Sequence, residues 1–188
     1  MKVWTIQCAE VYDIIQRTGE YSVKEDFIDN YYESAYLWLT EQMKNKIGPA
    51  PDDVTFPIWA WYRWNGKNKK PDLRSSSFGK TGDRLICIEL DIPDNEICLS
   101  DFDSWHFVLN YTYLNNGCED EETFNSDWEK LNKMTPERRK EAIEKSWENI
   151  FDIDFYKSAY QVRGEWVQGT FWKIKKEYIK KVQFFKCR

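Results

Sequence analysis

A chain of 188 residues suits one domain with a substantial core rather than two large ones. A net charge of -5 argues against a broadly electrostatic nucleic-acid binder and leaves room only for a local basic groove. Five cysteines (Cys8, Cys87, Cys98, Cys118 and Cys187) form no C-x-x-C pair, which argues against a zinc ribbon or a disulfide framework and for free thiols in a reducing cytosol. The opening residues 1–6 are too short and too mixed for a signal peptide. No apolar run approaches the length of a membrane span, so the expected setting is cytoplasmic, with no membrane partner.

In chain order, residues 2–7 predict a first strand, β-branched and aromatic. Residues 9–18 predict a short helix with Val11, Ile14 and Ile15 on one face and Gly19 as its cap. Residues 21–30 read as irregular. A second helix is expected over residues 32–47, where Ala35, Leu39, Met43 and Ile47 recur every fourth position. Gly48-Pro49 ends it, because proline cannot continue a helix. Residues 56–64 hold five aromatic rings in nine positions and read as the central strand. Strand alternation puts Ile58, Ala60, Tyr62 and Trp64 on one face and Trp59, Trp61 and Arg63 on the other. A long polar, basic loop follows over residues 65–83.

Residues 84–92 are the most continuous strand candidate. Pro93-Asp94-Asn95 makes a turn, and residues 96–99 a short partner strand. Ser100-Asp101-Phe102-Asp103 signals a helix start, since short side-chain oxygens accept the unpaired backbone N–H groups there; that helix is expected over residues 103–113. Residues 114–127 read as polar and solvated. Thr135-Pro136-Glu137 opens the clearest helix, with Ala142, Ile143, Trp147 and Ile150 as its apolar stripe. Two final strands are expected over residues 165–175 and 178–186. Strands without regular alternation with helices predict an α+β domain, spanning residues 1–188, with a mainly antiparallel sheet and flanking helices.

Catalytic signatures are sparse. His106 is the lone histidine, which excludes a histidine dyad or a multi-histidine metal site, and no paired-carboxylate metal motif stands out. Gly79 and Gly82 lack the context of a phosphate loop. Three segments combine aromatic surface with short hydrogen-bonding groups: Trp4-Thr5-Ile6-Gln7, residues 59–64, and residues 167–172 with Gln168 and Thr170. Such segments can line a cleft for a nicotinamide or a nucleobase. They can equally be core strands with tryptophan as bulk.

The strings V-W-T-I-Q at 3–7, P-I-W-A-W-Y-R-W at 57–64, P-D-L-R at 71–74, L-S-D-F-D-S-W-H at 99–106, K-S-W-E-N-I-F at 145–151 and Q-G-T-F-W at 168–172 occur in that order. Together they resemble the bacterial domain-of-unknown-function 3841 family over nearly the whole chain. A more distant resemblance is to the ADP-ribosyltransferase fold, in which a split antiparallel sheet grips NAD. That likeness implies NAD as cofactor and transfer of ADP-ribose to an RNA, DNA or protein acceptor, as in toxins or phage-defence effectors with an antitoxin protein as partner. Carried onto this chain, Thr5 or Gln7 falls at the family's first-strand position, Tyr62 at the second and Gln168 at the third, so Thr5, Tyr62 and Gln168 become the catalytic candidates. Trp4, Gln7, Trp61, Arg63, Arg74, His106 and Thr170 become candidate NAD contacts. Gln168 departs from the family's glutamate. Glu165 or Glu89 is then the candidate acid, and Arg63 or Arg74 the candidate cation. Lys67, Lys69, Lys70, Arg74, Lys80 and Arg84 form a possible acceptor rim. The rival readings are a non-catalytic module that stacks a nucleobase or single-stranded nucleic acid, and a protein-interaction surface.

Overall fold

The computed structural model describes residues 1–23, 30–115, 121–158 and 161–188. Its frame is β1 (Lys2–Cys8), which pairs antiparallel along its full length with β4 (Arg84–Asp91). On the far side of β4 lies β10 (Ile179–Lys186). On the other side of β1 come β3 (Ile58–Arg63), β8 (Val167–Phe171) and the edge strand β5 (Cys98–Asp101). The six-stranded order is thus β10-β4-β1-β3-β8-β5, antiparallel throughout. Two small pairs stand apart: β2 (Glu20–Tyr21) with β9 (Ile174–Lys175), and β6 (Tyr156–Ser158) with β7 (Gln161–Val162).

Period-two alternation sorts the sheet's side chains onto two faces. Val3, Ile58, Ala60, Ile86, Ile88, Leu90 and Phe171 share a core with Val11 and Ile15 of α1 (Ala9–Thr18). Among the described residues, helices cover the opposite face over β8, β5 and the Trp59 end of β3. There α2 (Glu33–Ile47), α3 (Phe102–Leu109) and α5 (Pro136–Ser146), with the 3-10 turn Trp147–Phe151, bury Leu39, Met43, Trp105, Val108, Ile143, Trp147 and Ile150 against Cys98. A further helix, α4 (Glu121–Asn132), packs on α5. Over β1, β4 and β10 this second face carries no helix among the described residues.

The seam between β1 and β3 is unlike the others. A single aligned residue pair, Trp4 with Trp61, joins the two strands. Two side chains hold the seam on either side of it. The Thr5 hydroxyl donates to the Trp59 carbonyl at 2.8 Å. The Asn68 amide nitrogen donates to the carbonyls of Lys2 at 3.1 Å and Tyr62 at 2.7 Å. The two halves of the sheet are therefore continuous but sutured.

The helix and strand expectations for the first half hold to within a few residues, and Thr135 caps α5 as expected, its hydroxyl accepting from Arg138 N. Four details differ. The strand after Pro93 does not partner β4, because β1 and β10 already occupy both of its edges; it runs Cys98–Asp101 and pairs β8 at the far side of the sheet. The helix after Asp101 stops at Leu109, where the chain turns through Tyr111 at a φ of 51°. Part of the acidic stretch over 114–127 is the helix α4, with Lys130 and Asp127 paired at 2.9 Å on its surface. The expected strand 165–175 breaks after Phe171: the Trp172 indole donates to Gly48 O, and Lys173 turns to Glu20 and Asp53. Part of the segment 21–30 and Cys118 lie outside the described residues.

Candidate functional site

A cleft of about 560 Å³ opens on the second face, over the sutured seam. Its floor is Ile6 from β1, Trp59 and Trp61 from β3, and Gln168 from β8. These residues share the face by register: Trp61 stands opposite both Trp4 and Gln168, and Trp59 opposite Thr170. One wall is Phe102 and Asp103, which begin α3. Asp101 fixes that helix start. Its Oδ1 accepts from Ser104 N at 2.8 Å and its Oδ2 from Gly164 N at 2.8 Å, which ties the N-terminus of α3 to the chain entering β8. The other walls are Trp64, Trp166 and, from the 65–83 loop, Ser75, Ser77 and Phe78.

The turn after β3 aims Trp64. Asn65 at φ 56° and Gly66 at φ 70° make the two-residue reversal that Asn-Gly favours, closed by Trp64 N donating to Lys67 O at 2.9 Å. Trp64 then stands at 83° to Trp61, with centroids 4.8 Å apart, and at 89° to Trp166, 4.7 Å away. Trp166 and Trp61 lie at 78° to each other, 6.4 Å apart. Three indoles meeting nearly at right angles form a corner, and Phe102 adds a tilted ring 5.1 Å from Trp61. A flat ligand in such a corner meets one ring face-on and others edge-on, both favourable arrangements.

Asp103 is the one charged side chain among the cleft's lining residues. Partial desolvation holds its carboxyl above the usual range, with the charge of Asp101 pushing the same way and His106 opposing. The cleft thus pairs π-faces with one carboxylate and no lysine or arginine. That composition favours an uncharged or positively charged flat group over an anion.

Beside the cleft, on the same face, lies a smaller hollow of about 200 Å³ lined by Trp4, Lys70, Cys87, Glu89, Lys181 and Gln183. No group of three or more His, Cys, Asp or Glu residues that could hold a metal occurs among the described residues. No helix among them is long and apolar enough to cross a membrane.

A family model described as a domain of unknown function, DUF3841, matches residues 2–180. The chain belongs to the DUF3841 family. No curated protein and no solved structure matches it. The family match takes in every residue that lines the aromatic cleft, so the cleft is built wholly within the DUF3841 domain.

Of the candidates drawn from the sequence of this DUF3841 protein, Trp61 and Gln168 line the cleft, and Trp4 stands opposite Trp61 but lines the neighbouring hollow. Thr5 and Tyr62 lie on the other face. Thr5 is fully buried, with its proton committed to Trp59 O and its oxygen accepting from Gln7 Nε2 at 2.7 Å. Tyr62 packs against the α1 core, on the face it shares by alternation with Ile58 and Ala60. Thr170 is fully buried and hydrogen-bonds Cys98 O at 3.3 Å. Arg63 pairs with Asp154 at 2.8 Å, away from the cleft. Arg74 is exposed next to Ser75 and is held by Asp72 at 2.6 Å; that contact pushes the Asp72 carboxyl down to about 2. His106 is exposed, with its ring edge-on to Phe102 and Nδ1 at 3.0 Å from Phe102 O. Glu89 belongs to the hollow, and Glu165 does not line the cleft.

Phe78, Phe102, Asp103 and Trp166 were not among the expected site residues, and Trp64, the end of the expected segment 59–64, lines the cleft from the face opposite to the one alternation gave it. Two signals were available. Asn65-Gly66 marks a tight reversal that returns Trp64 over its own strand. Phe102-Asp103 stands in the first turn of a helix whose start the Ser100-Asp101 signal marks, and Phe102 reaches back over the sheet to Trp61.

Proposed function

We propose that this DUF3841 protein binds NAD with the nicotinamide ring in the Trp61–Trp64–Trp166 corner, cleaves it, and passes ADP-ribose to a macromolecular acceptor. The observation that carries the reading is an aromatic corner with a single carboxylate at its rim, set over a seam in the sheet. A pyridinium is flat and cationic, so the indole faces and Asp103 both favour it over a neutral ring. In the reaction the bond from ribose C1′ to the pyridinium nitrogen breaks, and its electron pair neutralises the ring as nicotinamide leaves. Positive charge then builds on the ribose, and a fixed carboxylate lowers the cost of that charge. Asp103 takes this part in the proposal, in place of the glutamate expected at the position of Gln168. Gln168, on the floor, is suited to orienting a ribose hydroxyl. The acceptor's nucleophile forms the new bond at C1′ and loses its proton to solvent or to Asp103.

The exposed Lys67, Lys69, Lys80 and Arg84 offer a cationic approach for an RNA, DNA or acidic protein acceptor, and an antitoxin protein would fit the same rim. The test is release of nicotinamide from NAD by the purified protein, followed by chromatography. Asp103→Asn should lower the rate by roughly 100-fold, the scale of losing one electrostatic stabiliser. No release by the wild type at millimolar NAD, with or without added nucleic acid, would overturn the catalytic part. Tight binding of the nicotinamide ring without cleavage would favour the second reading, a module that stacks a flat heterocycle. The neutral Gln168 in place of the expected glutamate is the observation on that side.

A further inference from the structure

The smaller hollow beside the cleft has no part in the chemistry above. Register places it on the same sheet face. Trp4 is opposite Trp61 on one side and Glu89 on the other, Glu89 is opposite Lys181, and Cys87 lies between Ile6 and Gln183. Ile6 lines the cleft while its neighbour Cys87 lines the hollow, so the two spaces adjoin. The 65–83 loop contributes Lys70 to one and Ser75, Ser77 and Phe78 to the other.

The charges of the hollow do not cancel. Glu89 is already engaged on both oxygens, by Trp4 Nε1 at 3.0 Å and by Lys2 Nζ at 3.4 Å. Lys70 is held in place by a 2.6 Å bond to Gln183 Oε1, a neutral acceptor. Neither Lys70 nor Lys181 forms an ion pair with a carboxylate among the described residues. Two ammonium groups therefore face a space of about 200 Å³ whose one carboxylate is occupied, next to a cleft that holds no cation at all.

We infer that this hollow is an anion subsite, in which Lys70 and Lys181 take the phosphate of the ligand whose ring occupies the aromatic cleft. The identity of that ligand rests on the nicotinamide reading; the anion subsite itself rests on the hollow. From the strand bearing Trp61 to the strand bearing Glu89 is two strand spacings, roughly 10 Å, which suits the reach from a nucleotide's ring to its phosphates. The division of labour is chemical: π-faces and Asp103 discriminate for the ring, and the paired lysines discriminate for a phosphorylated over an unphosphorylated ribose.

The test compares nicotinamide mononucleotide, nicotinamide riboside and inorganic pyrophosphate by NMR titration of the tryptophan indole N–H signals. The wild type should bind the mononucleotide roughly tenfold more tightly than the riboside, the scale of one charge-assisted contact. Lys70→Gln with Lys181→Gln should erase that difference and leave riboside binding unchanged, while the melting temperature stays within a few degrees, since both side chains are exposed. Pyrophosphate alone should shift the Trp4 indole in the wild type and not in the double variant. Equal affinity of the wild type for mononucleotide and riboside, or no Trp4 response to pyrophosphate, would overturn the subsite. If neither nicotinamide compound binds but pyrophosphate still shifts Trp4 through the two lysines, the subsite stands and the nicotinamide reading falls.

Discussion

Thr5→Val removes one hydroxyl from the seam on which the cleft rests, and its effect follows from the local bonding. β1 and β4 are aligned over seven residue pairs, whereas β1 and β3 share one. The Thr5 hydroxyl makes up part of the missing ladder by donating to Trp59 O at 2.8 Å, and Thr5 is 0% exposed. Valine keeps the shape and leaves no cavity, so the loss is that of the donor. An acceptor left unpaired away from water costs about 1–3 kcal/mol. Gln7, half-buried, loses its acceptor at Thr5 but can turn to solvent. The expected destabilisation is about 2 kcal/mol, which for a domain of this size lowers the melting temperature by roughly 4–8 °C. Thr5→Ser keeps the bond and loses one methyl, for about 1 kcal/mol. Urea unfolding of the three proteins measures the order directly. A valine variant within about 0.5 kcal/mol of wild type, or a serine variant as damaged as the valine one, would refute the suture and with it the view of Thr5 as structural.

Gly164→Ala should destabilise by about 3 kcal/mol or more, because Gly164 has a φ of 92° and a Cβ would come within 2.0 Å of Ile153 O; an unchanged urea midpoint would show that the 153–164 connector moves aside freely. Burial pushes the Cys87 and Cys98 thiols up to about 11, so iodoacetamide at pH 8 should label the exposed Cys8 and spare those two until the protein is unfolded, and mass mapping that finds Cys87 labelled as fast as Cys8 would contradict their inertness. The raised Asp103 carboxyl binds its proton more tightly in the folded state than in the unfolded chain. Its stabilising contribution is whole below its ordinary value of 3.8 and is lost as pH rises through the raised one. Asp103→Asn should therefore melt no lower than wild type at pH 7 even as turnover falls, and a drop of several degrees would mean that Asp103 holds the fold together.

How far the chain could be read in advance depended on whether a feature was local. Thr135-Pro136, Gly48-Pro49 and the four-residue stripe of α2 declare themselves because a helix end or an amphipathic face is settled within a few positions of sequence. The partner of β5 did not, since strand pairing depends on which edges remain free once distant strands have been placed. The site divides in the same way. Trp61 and Gln168 were candidates from their aromatic and polar strand segments together with the resemblance, and strand register then sets them opposite each other. Tyr62 lies on the face that alternation gives it, with Ile58 and Ala60 against the α1 core, so its place among the site candidates came from the resemblance alone; Trp64, given that same face, lines the cleft because the strand ends at Arg63 and the Asn65-Gly66 reversal follows. Asp103 was visible only as part of a helix-start signal. Its position at the rim of an aromatic cleft arises because Asp101, two residues earlier, bonds Gly164 N and brings the start of α3 up to the strand that carries Gln168.

The asymmetry of the second sheet face ties these observations together. Helices cover it over β8 and β5, where Cys98, Trp105 and Trp172 are buried, and leave it without a helix over β1, β4 and β10 among the described residues. An uncovered β-sheet face is ordinarily polar along its whole length. Here it grades from an aromatic corner bearing a carboxylate, at the edge of the helical layer, to a hollow bearing two lysines beyond the seam. A solvated face needs charges of both signs scattered, with no reason to collect the rings at one end. The 65–83 loop crosses the gradient and supplies side chains to both ends, so a ligand spanning them would be held by one segment of chain. A change in that loop that lengthens it between Lys70 and Ser75 should therefore uncouple ring binding from phosphate binding without affecting either strand system.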